Sequence, residues 1–226
     1  SRQNWEETYP RKYSLKLSEE IAKGIAINNI EEIENSVMPK TSEDNGITLA
    51  MVKDLPFNDP MWDSLMDQLK PEEMYNLVRI GGYQTQQVES VGAPATVHVD
   101  GPAYVGVAGM TGVNTAEKTY AWPSQILLGS TWNEAILNRM GELIGEDALA
   151  QGKLNFAGWY APAMNIHRTA FSGRNFEYYS EDSFLSGRLG KATTHGATSK
   201  GLITFVKHFA LNDQETNRAG LITMAN

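Results

Sequence analysis

Residues 180–213, SEDSFLSGRLGKATTHGATSKGLITFVKHFALND, decide the fold. Their first part reads as a helix rich in small residues and so able to pack closely. Ser180 is its expected N-cap, with Glu181 and Asp182 in the first turn complementing the helix dipole. Residues 201–213 then read as a strand whose apolar run gives way to polar residues. Toward the N-terminus the same alternation recurs. NFAGWYAPAMNI (155–166) is a second strand, and STWNEAILNRMGELIGEDALAQG (130–152) is a helix with an expected capping box from Thr131 to Glu134 and a stop at Gly152. ATVHVDGP (95–102) is a third strand, ending in a turn. Strand and helix in alternation, with polar residues at the strands' carboxyl ends, predict an α/β fold with parallel strands and place chemistry at that edge.

Upstream, NDPMWDSLMDQLKPEEMYNLV (58–78) predicts two helices. Asp59 caps and Pro60 opens the first, while Pro71 with Glu72 and Glu73 opens the second. Residues 1–58 are polar and weakly periodic, with one amphipathic stretch in which Ile21, Ile25, Ala26, Ile30 and Ile33 recur near helical spacing. They read as a linker with a short helix, which puts a domain boundary near residue 58 and a second region at 59–226.

Composition narrows the functional classes. The chain of 226 residues carries 27 acidic and 19 basic side chains, a formal charge of −8, with no gathering of basic residues, which disfavours nucleic acid as a partner. No apolar stretch approaches the roughly 20 residues of a membrane span. Cysteine is absent, so a thiolate metal site and a disulfide framework are excluded. That fits a reducing compartment without excluding export. The start, SRQNWEETYPRKYSL, lacks a signal-peptide pattern and an initiator methionine. A cytoplasmic location is favoured on this ground, and localisation stays open. GVAGMTGVN (106–114) has glycines but no following Lys-Ser/Thr, so a phosphate loop is disfavoured and no cofactor is expected.

Several polar residues have two readings. His98 and Asp100 share one strand face, which allows a metal pair, yet no third ligand is visible and a hydrogen-bonded core histidine is preferred; no metal site is expected. Asp100 stands before Gly-Pro, either as a turn-initiating residue or as an acceptor for a ligand's hydroxyl groups. In HRTAFSGRNFEYYSED (167–182), Glu177 and Asp182 form a candidate acid/base pair. The preferred account makes Glu177 a neutralising partner for an arginine and Asp182 a first-turn acid, keeping Arg168 and Arg174 as ligand-binding candidates. If a strand continues through residue 208, Lys207 and His208 point to opposite sides unless the chain bends. Spacing alone does not decide between ligand contacts and strand-end decoration.

DGP, WPSQILLGSTWN, APAMNIHRTAFSGRNFEYYSED and KHFALNDQETNR, in this order, resemble the amino-terminal half of the (β/α)8 barrel of glycoside hydrolase family 3, the β-glucosidase family. SRQNWEETYP and NDPMWDSLMDQL are similar to the linker of members in which the sandwich domain precedes the barrel. The resemblance implies a partial (β/α)8 TIM-type barrel at 59–226 after an interdomain linker. It implies that Asp100, Arg174, Lys207, His208 and Arg218 surround the sugar of the −1 subsite, and that the activity is retaining, exo-acting hydrolysis of terminal non-reducing β-D-glucosyl residues. The nucleophilic aspartate is expected beyond Asn226, and the general acid outside this half-barrel. The hexosaminidase branch, with a histidine in a KHFPGH-like loop, is disfavoured by KHFALND. The chain is therefore expected to be an inactive fragment whose partners are a β-glucoside and the remainder of the polypeptide or a complementary piece. The alternative is a non-catalytic carbohydrate-binding or interaction module that kept the barrel wall.

Overall fold

The computed structural model describes residues 18–25, 37–103, 119–151, 156–220 and 223. Two compact units divide between Pro39 and Lys40. In the first, helix α1 (Glu19–Ile25) covers the start of the expected amphipathic stretch; Ile30 and Ile33 lie outside the described residues, as do Gly152 and the glycines of residues 106–114.

The second unit starts ahead of the boundary expected near residue 58, because residues 47–55 have a packing role. Val52 of α2 (Leu49–Val52) is buried with Leu65 of α3 (Met61–Met66), Leu69, Val88 and Val91, and Ile47 and Leu55 pack against them. Buried Gln68 ties this layer together. Its Oε1 accepts from the Asn45 and Ile47 amides, and its Nε2 donates to the carbonyls of Ile47 and Ser90. Asp59 accepts from the Met61 amide and Pro71 opens α4 (Pro71–Arg79). Glu73 of that helix reaches back to the Lys70 amide and across to Ser90.

The sheet has the order β1-β2-β3-β4. Two-residue β1 (Gln84–Thr85) is antiparallel to β2 (Thr96–Asp100), whereas β2, β3 (Phe156–Tyr160) and β4 (Ile203–Thr204) run parallel. Both crossovers carry a long helix, α6 (Glu134–Ala150) before β3 and α7 (Ser183–Thr198) before β4, since parallel neighbours are joined by a crossover connection, usually a helix. Short α5 (Gln125–Gly129) precedes α6. Strand β4 is far shorter than the apolar run 201–213 suggests. After Thr204 only an isolated bridge, Ala163 to Lys207, continues the pairing.

Two expected caps move by two residues. Asn133, not Thr131, accepts from the Ala135 and Ile136 amides at the start of α6. Asp182 caps α7 through the Leu185 amide, while the Ser180 hydroxyl accepts from Asp182 N. Each carboxylate or amide oxygen sits one position before its helix, where the first N–H groups lack partners.

The main core lies between the sheet and the α6–α7 pair. Val99, Trp159 and Ala161 meet Leu137, Met140, Ile144, Leu189 and Ala197 there. The helices cross on glycines, as the small-residue reading of α7 anticipates. A Cβ on Gly141 would strike the Thr193 carbonyl oxygen, and one on Gly196 the Asn138 carbonyl oxygen. The opposite sheet face is aromatic. Tyr160 stacks on Phe205 at 4.6 Å, His98 lies 5.0 Å from Phe205, and Tyr83 lies 4.8 Å from Tyr160. Strand residue Gly158 makes room for this, since a Cβ there would lie 2.6 Å from the Phe205 ring and 2.7 Å from that of His98. Beyond β4, a groove of about 550 Å³ is lined by Met164, Ile166, Val206, Phe209 and Leu211, and Ile203 is half exposed.

Candidate functional site

Because β2, β3 and β4 are parallel, their carboxyl ends share one edge, and three connections leave from it. The first starts at Asp100, the last residue of β2, which pairs in register with Tyr160 at the end of β3. The second, residues 161–182, carries Arg168, Arg174, Glu177 and Tyr178. The third, residues 205–218, carries Lys207, His208, Asn212, Asp213, Glu215 and Arg218.

Buried amides fix these connections. Gln125, almost fully buried, donates from Nε2 to the Ala163 carbonyl at 2.9 Å and accepts from the Ala163 amide at 2.7 Å. Ala163 is also the residue bridged to Lys207, so one helix side chain holds two loops in register. Asn165, oriented to satisfy its neighbours, accepts from the Leu211 amide at 3.1 Å and the Asn212 amide at 2.7 Å. Unpaired, these buried groups would cost stability, which explains polar residues at these otherwise closed positions.

The charged residues form linked pairs. Lys207 Nζ lies 2.5 Å from Asp100 Oδ1, and the same oxygen accepts from the Gly101 amide at 2.7 Å. Arg174, from the turn leading into Asn175–Glu177, donates from Nε to Glu177, whose side chain is 4% exposed. Burial works against the Arg174 charge, and the Glu177 bond and charge outweigh it, leaving its pKa above the ordinary arginine value. Glu215 bridges the two arginines, 3.6 Å from Arg174 and 3.2 Å from Arg218. Arg168 is bound to Asp213 at 2.6 Å.

His208 sits among these groups. Lys207 and His208 do not alternate across a strand, since β4 has already ended. Lys207 turns to Asp100, while His208 Nδ1 meets the Tyr178 hydroxyl at 3.0 Å. Burial first, then the positive charges of Arg174 and Lys207, push the His208 pKa down to about 4. Asp100 opposes that shift and Arg218 adds to it. The four charged residues named from the sequence thus all act on the fifth.

His98 stands apart from this group. It is buried against Phe205 and shares its Nε2 with the hydroxyls of Thr96 at 3.0 Å and Thr85 at 3.3 Å, the hydrogen-bonded core role preferred on sequence grounds. Glu177 is the arginine partner anticipated, and Asp182 is a cap. Tyr178 and Asn212 were not singled out by the sequence. Tyr178 reads as one more aromatic in NFEYYSED, and only the fold brings its hydroxyl to Asn212 Nδ2 at 2.8 Å and to His208.

The arrangement offers a carboxylate acceptor, an ammonium, guanidinium forks and a neutral imidazole along one edge, a donor and acceptor set suited to a polyhydroxylated ligand.

Residues 64–221 match the glycosyl hydrolase family 3 N-terminal domain. β-Glucosidase A of Butyrivibrio fibrisolvens is 47% identical over 130 residues, 58% of this chain and 15% of that protein. A β-glucosidase of Ruminococcus albus is 31% identical over 198 residues, 81% of this chain and 20% of that protein. Among solved structures, β-glucosidase 3B from Thermotoga neapolitana in complex with glucose superposes with a TM-score of 0.58 at 37% identity, over 69% of this chain and 24% of that one. The chain thus spans a fifth or less of the length of these two curated relatives. Both the matched segment and the parallel sheet with its outer helices lead to one assignment: the chain belongs to glycosyl hydrolase family 3, within its N-terminal domain.

Proposed function

We propose that this chain supplies the sugar-binding wall of the −1 subsite in a retaining, exo-acting β-glycosidase that hydrolyses terminal non-reducing β-D-glucosyl residues. The observation that carries this reading is the Asp100–Lys207 pair with Arg174 and His208 beside it at the carboxyl edge of a parallel sheet. Family membership supports it, and the related Thermotoga neapolitana enzyme was solved with glucose. A sugar hydroxyl both donates and accepts. Asp100 would accept from it, while Lys207, Arg174, Arg218 and the His208 ring would donate to its neighbours, with charge-assisted bonds that orient the ring. Bonds of this kind that tighten as the sugar approaches an oxocarbenium-like state contribute to rate as well as to affinity.

In this reading hydrolysis itself falls to other groups. Retention needs two carboxyl groups about 5 to 5.5 Å apart, one of them a nucleophile. Asp100, Glu177, Asp213 and Glu215 are each engaged by a lysine or arginine. In this reading the nucleophile and the acid/base come from parts of the parent enzyme outside residues 1–226, and those parts are its structural partner. The same engagement of these four carboxylates also suits a carbohydrate-binding module without hydrolytic activity. The test uses the parent enzyme. Asp100→Ala should reduce kcat/KM for an aryl β-glucoside by at least a hundredfold, whereas an unchanged value removes Asp100 from the site. For the 226-residue chain alone, steady release of p-nitrophenol would overturn the division of labour.

A further inference from the structure

The Tyr178 hydroxyl has two polar neighbours, Asn212 Nδ2 at 2.8 Å and His208 Nδ1 at 3.0 Å. An amide nitrogen only donates, so the phenol oxygen accepts from Asn212. A phenol has one proton, and the remaining neighbour is the imidazole nitrogen. The phenol oxygen could accept from a protonated Nδ1 as well, but its own proton would then be buried without an acceptor; directed at Nδ1 it is satisfied, and Nδ1 is then the unprotonated nitrogen of a neutral ring. From this we infer that Asn212 and Tyr178 are positioning residues that hold His208 in the Nε2–H tautomer. His208 thereby presents an uncharged N–H donor to the carboxyl edge of the sheet.

Three further observations support the relay. Tyr178 is 1% exposed, so water does not compete for its hydroxyl. Its ring stands edge-on to His208, with centroids 6.1 Å apart and planes at 90°, which fixes the imidazole's rotation as well as its proton. Asn165 grips the Asn212 backbone amide at 2.7 Å and so sets where the Asn212 side chain starts. Burial and the Arg174 and Lys207 charges hold the ring neutral near pH 7. The role given to the relay rests on the sugar-binding reading. With the proton on Nε2, His208 complements Asp100: one donates to a ligand oxygen while the other accepts from a hydroxyl.

The tautomer is measured without any ligand, so its failure is separate from failure of the sugar-binding reading, which a glucose titration of the same sample reports. The experiment is a long-range proton–nitrogen NMR spectrum of the 15N-labelled 226-residue chain at pH 7, with the His208 ring assigned by its loss in His208→Gln. The expected wild-type pattern has a protonated Nε2 and a pyridine-like Nδ1. In Asn212→Asp the carboxylate only accepts, draws the phenolic proton to itself and should switch His208 to the Nδ1–H pattern. Tyr178→Phe should give a mixture of the two. A protonated Nδ1 in the wild type, or an Asn212→Asp spectrum that keeps the wild-type His208 pattern, would overturn the inference. The wild-type spectrum decides even if a variant fails to fold.

Discussion

Lys207 Nζ lies 2.5 Å from Asp100 Oδ1, although 107 residues separate the two in sequence. The lysine is mostly buried and the carboxylate partly open, so the pair presents its acceptor outward with the cation behind. Under the proposed function this polarity matters, because the ammonium holds Asp100 in place while its second oxygen stays available. Lys207→Met should therefore weaken glucose binding as strongly as Asp100→Asn, by at least tenfold each. The double variant should lose less than the sum of the two, measured by NMR titration of the chain and compared as a double-mutant cycle.

Removing one partner of a buried ion pair leaves the other charge uncompensated. Glu177→Gln should destabilise the fold by about 3 kcal/mol, since Arg174 would keep only its longer contact with Glu215. Urea denaturation checks the size of the effect. The same change at partly exposed Glu142, paired with exposed Arg139, should cost less than about 1 kcal/mol.

Gln125→Leu preserves approximate volume but orphans both the N–H and the C=O of Ala163. At about 1 to 3 kcal/mol for each of the two buried unsatisfied groups, a loss of about 2 to 6 kcal/mol is expected. Because Ala163 is bridged to Lys207, faster amide exchange should spread into residues 205–212, which hydrogen-exchange mass spectrometry would register.

Two glycines of one helix should respond with opposite signs. Gly196→Ala drives a methyl into the Asn138 carbonyl of α6, where backbone has to move, and should cost about 3 kcal/mol. Gly187→Ala meets nothing within 4 Å and should gain up to about 1 kcal/mol from helix propensity. Thermal unfolding of both variants is the check.

The pH dependence follows from His208. Its folded pKa of about 4 lies below the ordinary 6.5, so between these values the unfolded chain binds a proton that the folded chain refuses. Stability should be complete above about pH 6.5 and fall as pH drops toward 4. His98, also lowered by burial, acts in the same direction. Denaturation midpoints from pH 7 to 4.5 should therefore decline less steeply in His208→Gln than in the wild type.

The elements that position the site were legible wherever local pattern and tertiary fate agree. Thr96–Asp100 and Phe156–Tyr160 are strands bounded by turn residues, and α6 and α7 follow their helical spacing. Strand β4 is shorter than its apolar run suggests, because Phe205, Val206 and Phe209 belong to the aromatic face and to the groove rather than to a longer ladder. Caps lie two residues further on because Ser, Thr, Asn and Asp compete for neighbouring amides, and the winner depends on how the chain enters the helix. Among the site residues, Asp100, Arg174, Lys207, His208 and Arg218 were named through ordered motifs. Tyr178, Asn212 and Gln125 were not, since each acts through partners distant in sequence, and no period within one segment encodes that.

Gly158 shows how a missing side chain can be a specification. Its φ is not positive, so nothing in the torsion angles demands glycine, and the requirement comes from the two rings lying over the strand. A saturation mutagenesis map would show a strand position as intolerant as any turn. Anyone inferring local backbone shape from that intolerance would draw a turn where the chain continues as a strand. What the position encodes is how close the floor of the sheet comes to its aromatic layer, a vertical dimension that a one-dimensional profile cannot register.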